Sequence, residues 1–264
     1  MPSVVLVLID GMRPDALQHA DTPTMDRLIA SGAHTMTART VMPSITLPVH
    51  ASLFLGVMPD RHGNTTNTWT PPARPIPGLI DLVHQTGGKT AAFYNWEQLR
   101  DVSRPGSLDA SFFIKDTHSP NGDTMIAHLA SAWLTHNQPA LTFIYFGHTD
   151  QAGHDHGWMS QPYLNAIANA DRCIAMIVNA LPADATLIVT SDHGGHAQTH
   201  GTDSDEDMTI PFIISGPSIP SAHRIQSSLH VTDVAPTIAH LLGLDSPAEW
   251  TGTSISLNHH ETKH

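Results

Sequence analysis

The feature that most limits the fold of this chain is an alternation of short buried strands with helical segments. A continuous run of β-branched and aliphatic residues predicts a strand at residues 4–9, and mainly apolar segments predict further strands at residues 89–94, 140–146, 185–190 and 210–215. Helical spacing predicts helices at residues 24–30, 77–85, 123–135, 161–181 and 232–242. Because this order is typical of α/β proteins, we expect a mostly parallel central sheet with helices on both faces.

Composition limits the partners and the compartment of the chain. With 264 residues, we expect one domain over residues 1–257, followed by a polar, histidine-rich tail over residues 258–264 that is disordered. The formal net charge of −12 argues against non-specific binding to nucleic acid or to an anionic membrane. The single cysteine excludes an intramolecular disulfide, and no stretch has the ~20 apolar residues of a membrane-spanning helix. We therefore expect a cytoplasmic protein without a membrane anchor.

Acidic residues follow three of the predicted strands. Asp10, Asp150 and Asp192 each come just after a buried strand. Parallel strands bring their carboxyl ends to one edge of the sheet, which is where open α/β sheets bind ligands. The sequence therefore predicts that three carboxylates meet at this edge, with residues 68–77 and 101–123 as surface loops around it.

Histidines accompany these carboxylates. His154 lies one helical turn after Asp150, so both side chains can reach one ion. His193 directly follows Asp192 on a turn that contains two glycines, and His200 lies in the stretch His-Gly-Thr-Asp. Spacing alone leaves three competing candidates, which are His148, Asp155 and His156.

These residue types point to divalent transition metals and to chemistry at phosphorus. Carboxylate oxygens and neutral imidazole nitrogens together suit zinc, and manganese and iron accept the same ligands. Two such ions roughly 3.5–4 Å apart can hold the attacking and leaving oxygens of an in-line displacement. We therefore expect two divalent ions, with zinc as the first choice, and a small phosphate ester as the substrate.

Thr46 is the candidate nucleophile, and Ser44 is the alternative hydroxyl. Residues 47–53 are expected to begin a helix, which places Thr46 at its N-cap or in its first turn, where backbone N–H groups favour an anion. Metal coordination could hold its hydroxyl as an alkoxide, whereas in a chain without metal ligands elsewhere a plain capping threonine is the commoner case. Asn67 could donate an amide hydrogen bond to a phosphoryl oxygen, with Asn64 as its competitor.

The ordered set of these motifs resembles the alkaline phosphatase superfamily, and within it the nucleotide pyrophosphatase/phosphodiesterase family. The motifs are Asp-Gly at 10–11, Pro-Ser-Ile-Thr-Leu-Pro-Val-His at 43–50, His-Gly-Asn-Thr-Thr-Asn at 62–67, Asp-Gln-Ala-Gly-His at 150–154, Ser-Asp-His-Gly at 191–194 and His-Gly-Thr-Asp at 200–203. Each motif alone is weak, whereas the ordered set is highly specific. The resemblance extends from Asp10 to about Pro217.

The resemblance implies an alkaline phosphatase-like fold and roles for single residues. One zinc site would consist of Asp10, Thr46, Asp192 and His193. The other would consist of Asp150, His154 and His200. Thr46 would attack phosphorus to form a phosphothreonine that water then hydrolyses, and Asn67 would contact a phosphoryl oxygen.

The chain also departs from the family pattern around the nucleophile. Relatives that prefer nucleotides usually carry a lysine before the nucleophile and an aromatic residue after it, whereas this chain has Ile45 and Leu47. The usual asparagine before the motif histidine is Val49. A nucleotide base would therefore need a stacking face from elsewhere, and the candidates are Trp69, Trp96 and Trp158.

From these observations we expect a metal-dependent phosphodiesterase. Arg13 is the only basic residue inside a ligand motif, and a monoester dianion usually needs an additional fixed cation, so diesters are favoured over monoesters. The alternatives are a phosphomonoesterase, a phosphonate hydrolase and a phosphosugar mutase of the same superfamily. A non-catalytic metal-binding protein is the alternative from a different class.

Overall fold

The computed structural model describes residues 1–257, and its centre is an eight-stranded sheet. The prediction of a disordered tail at residues 258–264 lies outside these described residues. In chain order the strands are β1 (Ser3–Ile9), β2 (Ala33–Arg39), β3 (Thr90–Tyr94), β4 (Ala110–Phe113), β5 (Leu141–Phe146), β6 (Ala185–Thr190), β7 (Thr209–Ser215) and β8 (His223–Arg224). Their order across the sheet is β4-β3-β5-β1-β6-β7-β2-β8.

The middle of the sheet is parallel. β1 pairs in parallel with β5 on one side and with β6 on the other, and β3 continues the parallel arrangement beyond β5. β7 is antiparallel to both of its neighbours, β6 and β2. The sheet is therefore mostly parallel, as predicted, and the strands that precede the three candidate carboxylates are neighbours at its centre.

Helices cover both faces of the sheet. They are α1 (Pro23–Ser31), α2 (Thr46–Leu55), α3 (Pro59–His62), α4 (Leu79–Gln85), α5 (Pro120–His136), α6 (His148–His156), α7 (Gln161–Ala180), α8 (Asp205–Met208) and α9 (Val234–Leu241). Within residues 1–257, no helix combines the length and the hydropathy that crossing a bilayer requires.

The core consists of two hydrophobic layers that share the sheet. Successive side chains of a strand point to opposite faces, and β1 follows this rule: Leu6 and Leu8 join the layer under α2, α4 and α9, whereas Val5 and Val7 join the layer under α1, α5 and α7. These four side chains are fully buried. Burial of each stabilises the fold by about 1.5–3 kcal/mol, which fixes β1 at the centre and Asp10 at its carboxyl end.

Three strands were not predicted. β2 has the sequence AHTMTAR, which lacks a continuous apolar run, and β8 has two residues. β4 lies inside residues 101–123, which we expected to be a loop, and the structure corrects that expectation. Its sequence, ASFF, is short because β4 is the edge strand beside β3, where pairing on one side requires no long buried run.

Candidate metal centre

The carboxyl edge of the three central strands holds a first cluster of ligand atoms. Asp10 directly follows β1, and Asp192 and His193 follow β6. His193 Nε2 lies 3.3 Å from Asp10 Oδ1 and 3.5 Å from Asp192 Oδ2, and all three residues are buried. One ligand atom of each lies within 4.8 Å of the others, which is a spacing that a single metal ion can bridge.

A second cluster lies beside the first and is partly open to solvent. Asp150 and His154 occupy successive turns of α6, which begins one residue after β5. His154 Nε2 lies 3.5 Å from Asp150 Oδ2, and His200 Nε2 lies 3.7 Å from Asp150 Oδ1. The structure thus groups the six carboxylate and imidazole residues into the two sets that the family resemblance implied.

Three carboxylate oxygens in these clusters are buried without a hydrogen-bond partner among the described residues. They are Asp10 Oδ1, Asp150 Oδ1 and Asp192 Oδ2, one from the segment that follows each of β1, β5 and β6. A buried anionic oxygen without a partner is costly, because the desolvation of the charge is not offset by a hydrogen bond. A divalent cation would provide that compensation, so the residues present fit a metal ion in each cluster.

The surroundings of the three carboxyl groups in these clusters disfavour their ionised forms. Burial and the neighbouring Asp192 raise the pKa of Asp10 well above its ordinary value, and burial together with Asp10 does the same to the pKa of Asp150. Burial raises the pKa of Asp192 to about 7. Burial, together with the nearby His193, lowers the pKa of His200 to about 3, so this imidazole is neutral and able to bind a metal at neutral pH.

Backbone carbonyls fix the tautomer of each histidine in the clusters. Nδ1 of His154 lies 3.0 Å from the carbonyl oxygen of Gln198, Nδ1 of His193 lies 2.8 Å from that of Gly194, and Nδ1 of His200 lies 2.8 Å from that of Ser44. Because a carbonyl oxygen only accepts, each Nδ1 is the donor, and the lone pair of each Nε2 is directed into its cluster. Protein-bound metals commonly use histidines held in this way.

Gly11 joins the strand ends that carry the carboxylates. Its N–H donates to Asp192 Oδ1 at 3.1 Å, and its backbone has φ +67°, which favours glycine. A Cβ at this position would lie 3.2 Å from Asp150, a tight contact that would require the two segments to move slightly apart. In the Asp-Gly pair, Asp10 thus supplies a carboxylate, and Gly11 allows both the turn after β1 and the close packing against Asp150.

Thr46 is the first residue of α2 and lies beside the first cluster. Its N-cap is Ile45, so Thr46 is in the first turn. The Thr46 hydroxyl lies 3.4 Å from His193 Nε2 and is buried, which places an oxygen among the ligand atoms at a helix N-terminus. Ser44, the alternative nucleophile, is also buried, but its hydroxyl donates to the carbonyl of Thr202 at 2.7 Å.

Asn67 lies against the same helix N-terminus. Its Oδ1 accepts the N–H of Leu47 at 3.0 Å, which holds the amide next to Thr46. Its competitor Asn64 is instead used within its own turn, where its Oδ1 accepts the N–H of Thr70 at 2.7 Å.

The three competing ligand candidates and Arg13 lie in other surroundings than the two clusters. His148 Nδ1 lies 3.0 Å from the carbonyl of Thr117, Asp155 accepts from Gln151 at 2.9 Å, and His156 is exposed at the end of α6. The guanidinium of Arg13 is bound by Asp15 at 2.6 Å and donates to the carbonyl of Gly195 at 3.0 Å. Among residues 1–257, no lysine or arginine forms an ion pair with either cluster.

Of the three tryptophans proposed as stacking faces, Trp158 is packed inside the protein. Its side chain is buried, with 7% of its surface exposed, and lies against glycines next to the clusters. This burial corrects the expectation that Trp158 could present a free face to a base. Trp69 and Trp96 are half-buried against the core layer under α2.

Three residues of the centre were missed by the sequence analysis. The hydroxyl of Tyr145, in β5, donates to Asp10 Oδ2. His50 is fully buried and its Nδ1 lies 2.7 Å from the carbonyl of Thr46. Ser191 accepts the N–H of Met12 at 2.9 Å and donates to the carbonyl of His193 at 2.8 Å. Polar residues in buried segments were the only signal, and it does not specify a partner.

Comparison with known proteins places these motifs in a family. The family model of type I phosphodiesterase / nucleotide pyrophosphatase matches residues 4–206. Mouse ectonucleotide pyrophosphatase/phosphodiesterase family member 1 is 26% identical over 221 residues, which cover 73% of this chain and 24% of the relative. The chain thus spans about a quarter of that relative and, at 49%, about half of the rat family member 7.

Solved structures share the fold. Murine ectonucleotide pyrophosphatase/phosphodiesterase 5, an inactive variant in complex with AMP, superposes with a TM-score of 0.79 at 19% identity, covering 97% of this chain and 98% of that one. The phosphonate monoester hydrolase of Agrobacterium radiobacter superposes with a TM-score of 0.76 at 17% identity, covering 96% and 76%. The alkaline phosphatase-like fold class is confirmed, and with the family model matched over most of its length, the chain belongs to the type I phosphodiesterase / nucleotide pyrophosphatase family.

Proposed function

We propose that this chain is a hydrolase of phosphate diesters that uses two divalent metal ions, zinc in the first place, and Thr46 as its nucleophile. The observation that carries the proposal is the set of three buried carboxylate oxygens without a hydrogen-bond partner among residues 1–257, one after each central strand. They lie among the Nε2 atoms of three histidines and next to a threonine hydroxyl. Membership of the family supports the reaction class.

Each cluster has a distinct task in this proposal. Asp10, Asp192 and His193 would hold one ion next to the Thr46 hydroxyl, and Asp150, His154 and His200 would hold the other. Bound divalent ions supply Lewis acidity, which favours the ionised threonine hydroxyl and the charge that develops on the leaving oxygen. A non-catalytic metal site would not need a hydroxyl 3.4 Å from a ligand nitrogen at a helix N-terminus.

The reaction would proceed by two displacements at phosphorus. The Thr46 hydroxyl oxygen attacks phosphorus and the bond from phosphorus to the leaving oxygen breaks. The proton lost from Thr46 ends, through solvent, on the leaving alkoxide or aryloxide. Water then attacks the phosphothreonine, which releases a phosphate monoester and restores the threonine. Asn67, held at the first turn of α2, would donate to a phosphoryl oxygen.

The charges around the centre support a diester rather than a monoester. A monoester carries one more negative charge, and Arg13, the basic residue inside a ligand motif, is neutralised by Asp15 at 2.6 Å. Murine ectonucleotide pyrophosphatase/phosphodiesterase 5 was obtained with AMP, so nucleotide diesters are a suitable substrate class to test. Aryl phosphonates form the second class.

Substitution of Thr46 tests the mechanism. Thr46→Ala removes the attacking oxygen but leaves Asp10, Asp192 and His193, so the protein should fold and bind metal while kcat falls by at least about a thousandfold. Thr46→Ser is the matched control because it keeps a hydroxyl, and mass spectrometry should detect phosphate on the peptide that contains residue 46. Near-normal turnover by Thr46→Ala would exclude the mechanism.

Metal stoichiometry tests the centre independently of turnover. Protein purified without chelator and supplied with metal should contain two transition-metal ions per chain by elemental analysis, which also identifies the metal. One ion per chain, or none, would contradict the two-metal proposal.

A further inference from the structure

Trp158 contacts every segment that carries a ligand of the two clusters. It follows α6, and its indole Nε1–H donates to the carbonyl of Gly11 at 2.9 Å, next to Asp10. Its backbone N–H donates to the carbonyl of Ala197 at 2.8 Å, in the loop that leads to His200. One buried residue, through its indole and its backbone, thus connects the end of β1 with the loop that follows β6.

The indole also lies against two ligand histidines. The ring centroid of His154 is 5.2 Å from that of Trp158 with an interplanar angle of 85°, and the ring of His200 is 5.9 Å away at 62°. Both are edge-to-face contacts, which restrict the rotation of an imidazole about its side-chain bonds. Nδ1 of each ring is already held by a backbone carbonyl. Together the two contacts fix the orientation of each imidazole, with its Nε2 directed into the second cluster.

Two glycines allow the indole to reach this position. A Cβ on Gly153, beside His154, would lie 2.7 Å from the ring of Trp158, and a Cβ on Gly195 would lie 2.2 Å from it. Neither distance is compatible with a side chain, so α6 and the turn after His193 both close directly on the indole. The glycines and the tryptophan form one packing unit beneath the ligands.

We propose that Trp158 is a positioning residue of the metal centre, which orients His154 and His200 for the ion of the second cluster. The inference rests on the proposed function only in requiring that both clusters bind metal. The indole has no lone pair to offer a metal and is buried, so its action is through the histidines that it contacts. Loss of such outer contacts typically lowers metal affinity about 10- to 100-fold.

The chain offers a closely matched control in Trp250. Its side chain is buried to the same extent, with 7% exposed, and its Nε1–H donates to the carbonyl of Pro77 at 2.7 Å. A glycine also packs against its ring, since a Cβ on Gly56 would lie 2.8 Å away. Trp250 belongs to the core layer under α2 and contacts no ligand segment through these interactions. Trp158→Phe and Trp250→Phe should therefore lose similar packing.

The experiment is a titration of Zn²⁺ and Co²⁺ into chelator-treated full-length protein. Calorimetry of the wild type should show two binding events, and His200→Ala identifies the event of the second cluster. In Trp158→Phe that event should weaken about 10- to 100-fold, and the visible absorption bands of its Co²⁺ complex should change, because they report coordination geometry. Trp250→Phe should keep both affinities and the spectrum. Trp158→Tyr, which retains a ring and a polar donor, should be intermediate.

The outcomes separate this inference from the proposed function. Unchanged affinity and spectrum in both Trp158 variants, or an equal loss in Trp250→Phe, would overturn the role of Trp158 while the proposed function stands. A wild type that binds two ions but hydrolyses no diester would contradict the function alone, and the comparison of the variants would still decide the role of Trp158. A wild type that binds fewer than two ions overturns both.

Discussion

Removal of Asp192, a proposed metal ligand, should stabilise the protein in the presence of a chelator. Burial raises the pKa of Asp192 from 3.8 to about 7, and its Oδ2 has no hydrogen-bond partner in the described structure. Ionising this carboxyl in the folded state therefore costs up to about 4 kcal/mol. Asn at this position is uncharged, and its side-chain oxygen can still accept from the N–H groups of Gly11 and His193, now 3.1 and 2.9 Å away.

The size of the effect should depend on pH. Because the folded pKa of Asp192 lies above the unfolded one, the penalty is absent below about pH 4, grows as the pH rises and is complete above about pH 7. In chelator at about pH 8, Asp192→Asn should thus be more stable than the wild type by up to about 4 kcal/mol, or on the order of 10 °C in Tm. At about pH 5 most of this gain should be lost.

Asp123→Asn is the matched control for this prediction. Asp123 is also fully buried, burial raises its pKa to about 7, and its Oδ2 also lacks a hydrogen-bond partner among the described residues. Its Oδ1 accepts from Asn95 Nδ2 at 2.7 Å and from the N–H of His148 at 3.3 Å, outside the two clusters.

Thermal and urea unfolding with chelator and with excess zinc would measure both effects. Both variants should gain stability without metal, but only Asp192→Asn should lose the increase that zinc gives the wild type, which is about 4 kcal/mol at a thousandfold excess over Kd. The reasoning is refuted if chelated Asp192→Asn is less stable than the chelated wild type at about pH 8, or if its gain does not change with pH.

Three further predictions address the site. A bis-aryl phosphate should be hydrolysed with a higher kcat/KM than the corresponding monoester in steady-state assays. A preference for the monoester would contradict the argument that the described residues give the site no free cation for the additional negative charge. Tyr145→Phe removes the donor to Asp10 Oδ2 and should lower zinc affinity about 10- to 100-fold in calorimetry, with little effect expected if the hydroxyl is merely structural. Gly195→Ala places a Cβ 2.2 Å from the indole of Trp158 and should lower Tm by several degrees, and an unchanged Tm would show that the ring can move freely.

Those parts of the fold that depend on local pattern could be predicted from the sequence. β1, β3, β5, β6 and β7 are buried along most or all of their length, so each consists mainly of apolar and β-branched residues. β2 alternates threonine with apolar residues and has a register shift between Thr35 and Ala38. Its pairing with β7 therefore depends on tertiary contacts and could not be predicted from the residues of β2 alone.

The same distinction applies to the candidate site. Asp10 and Asp192 could be found because parallel strands carry their following residues to a common edge, whatever the rest of the chain does. Tyr145 lies 135 positions from Asp10 in sequence and contacts it only because β5 happens to neighbour β1. Trp158 could be identified in the sequence as a candidate, but its burial could not be predicted. The burial depends on the close packing of Gly153 and Gly195 against the indole.

The separation of the ligands along the chain determines when a metal can be acquired during synthesis. The hydrogen bond from Gly11 to Asp192 spans 181 positions, and neither cluster is complete until the residues after β6 have been made. The ribosome synthesises the amino-terminal half first, so Asp10 is made long before His193, the residue with which it would share an ion. Metal therefore cannot nucleate the folding of the early strands, whose long-range pairing must come first, and loading becomes a late step in maturation.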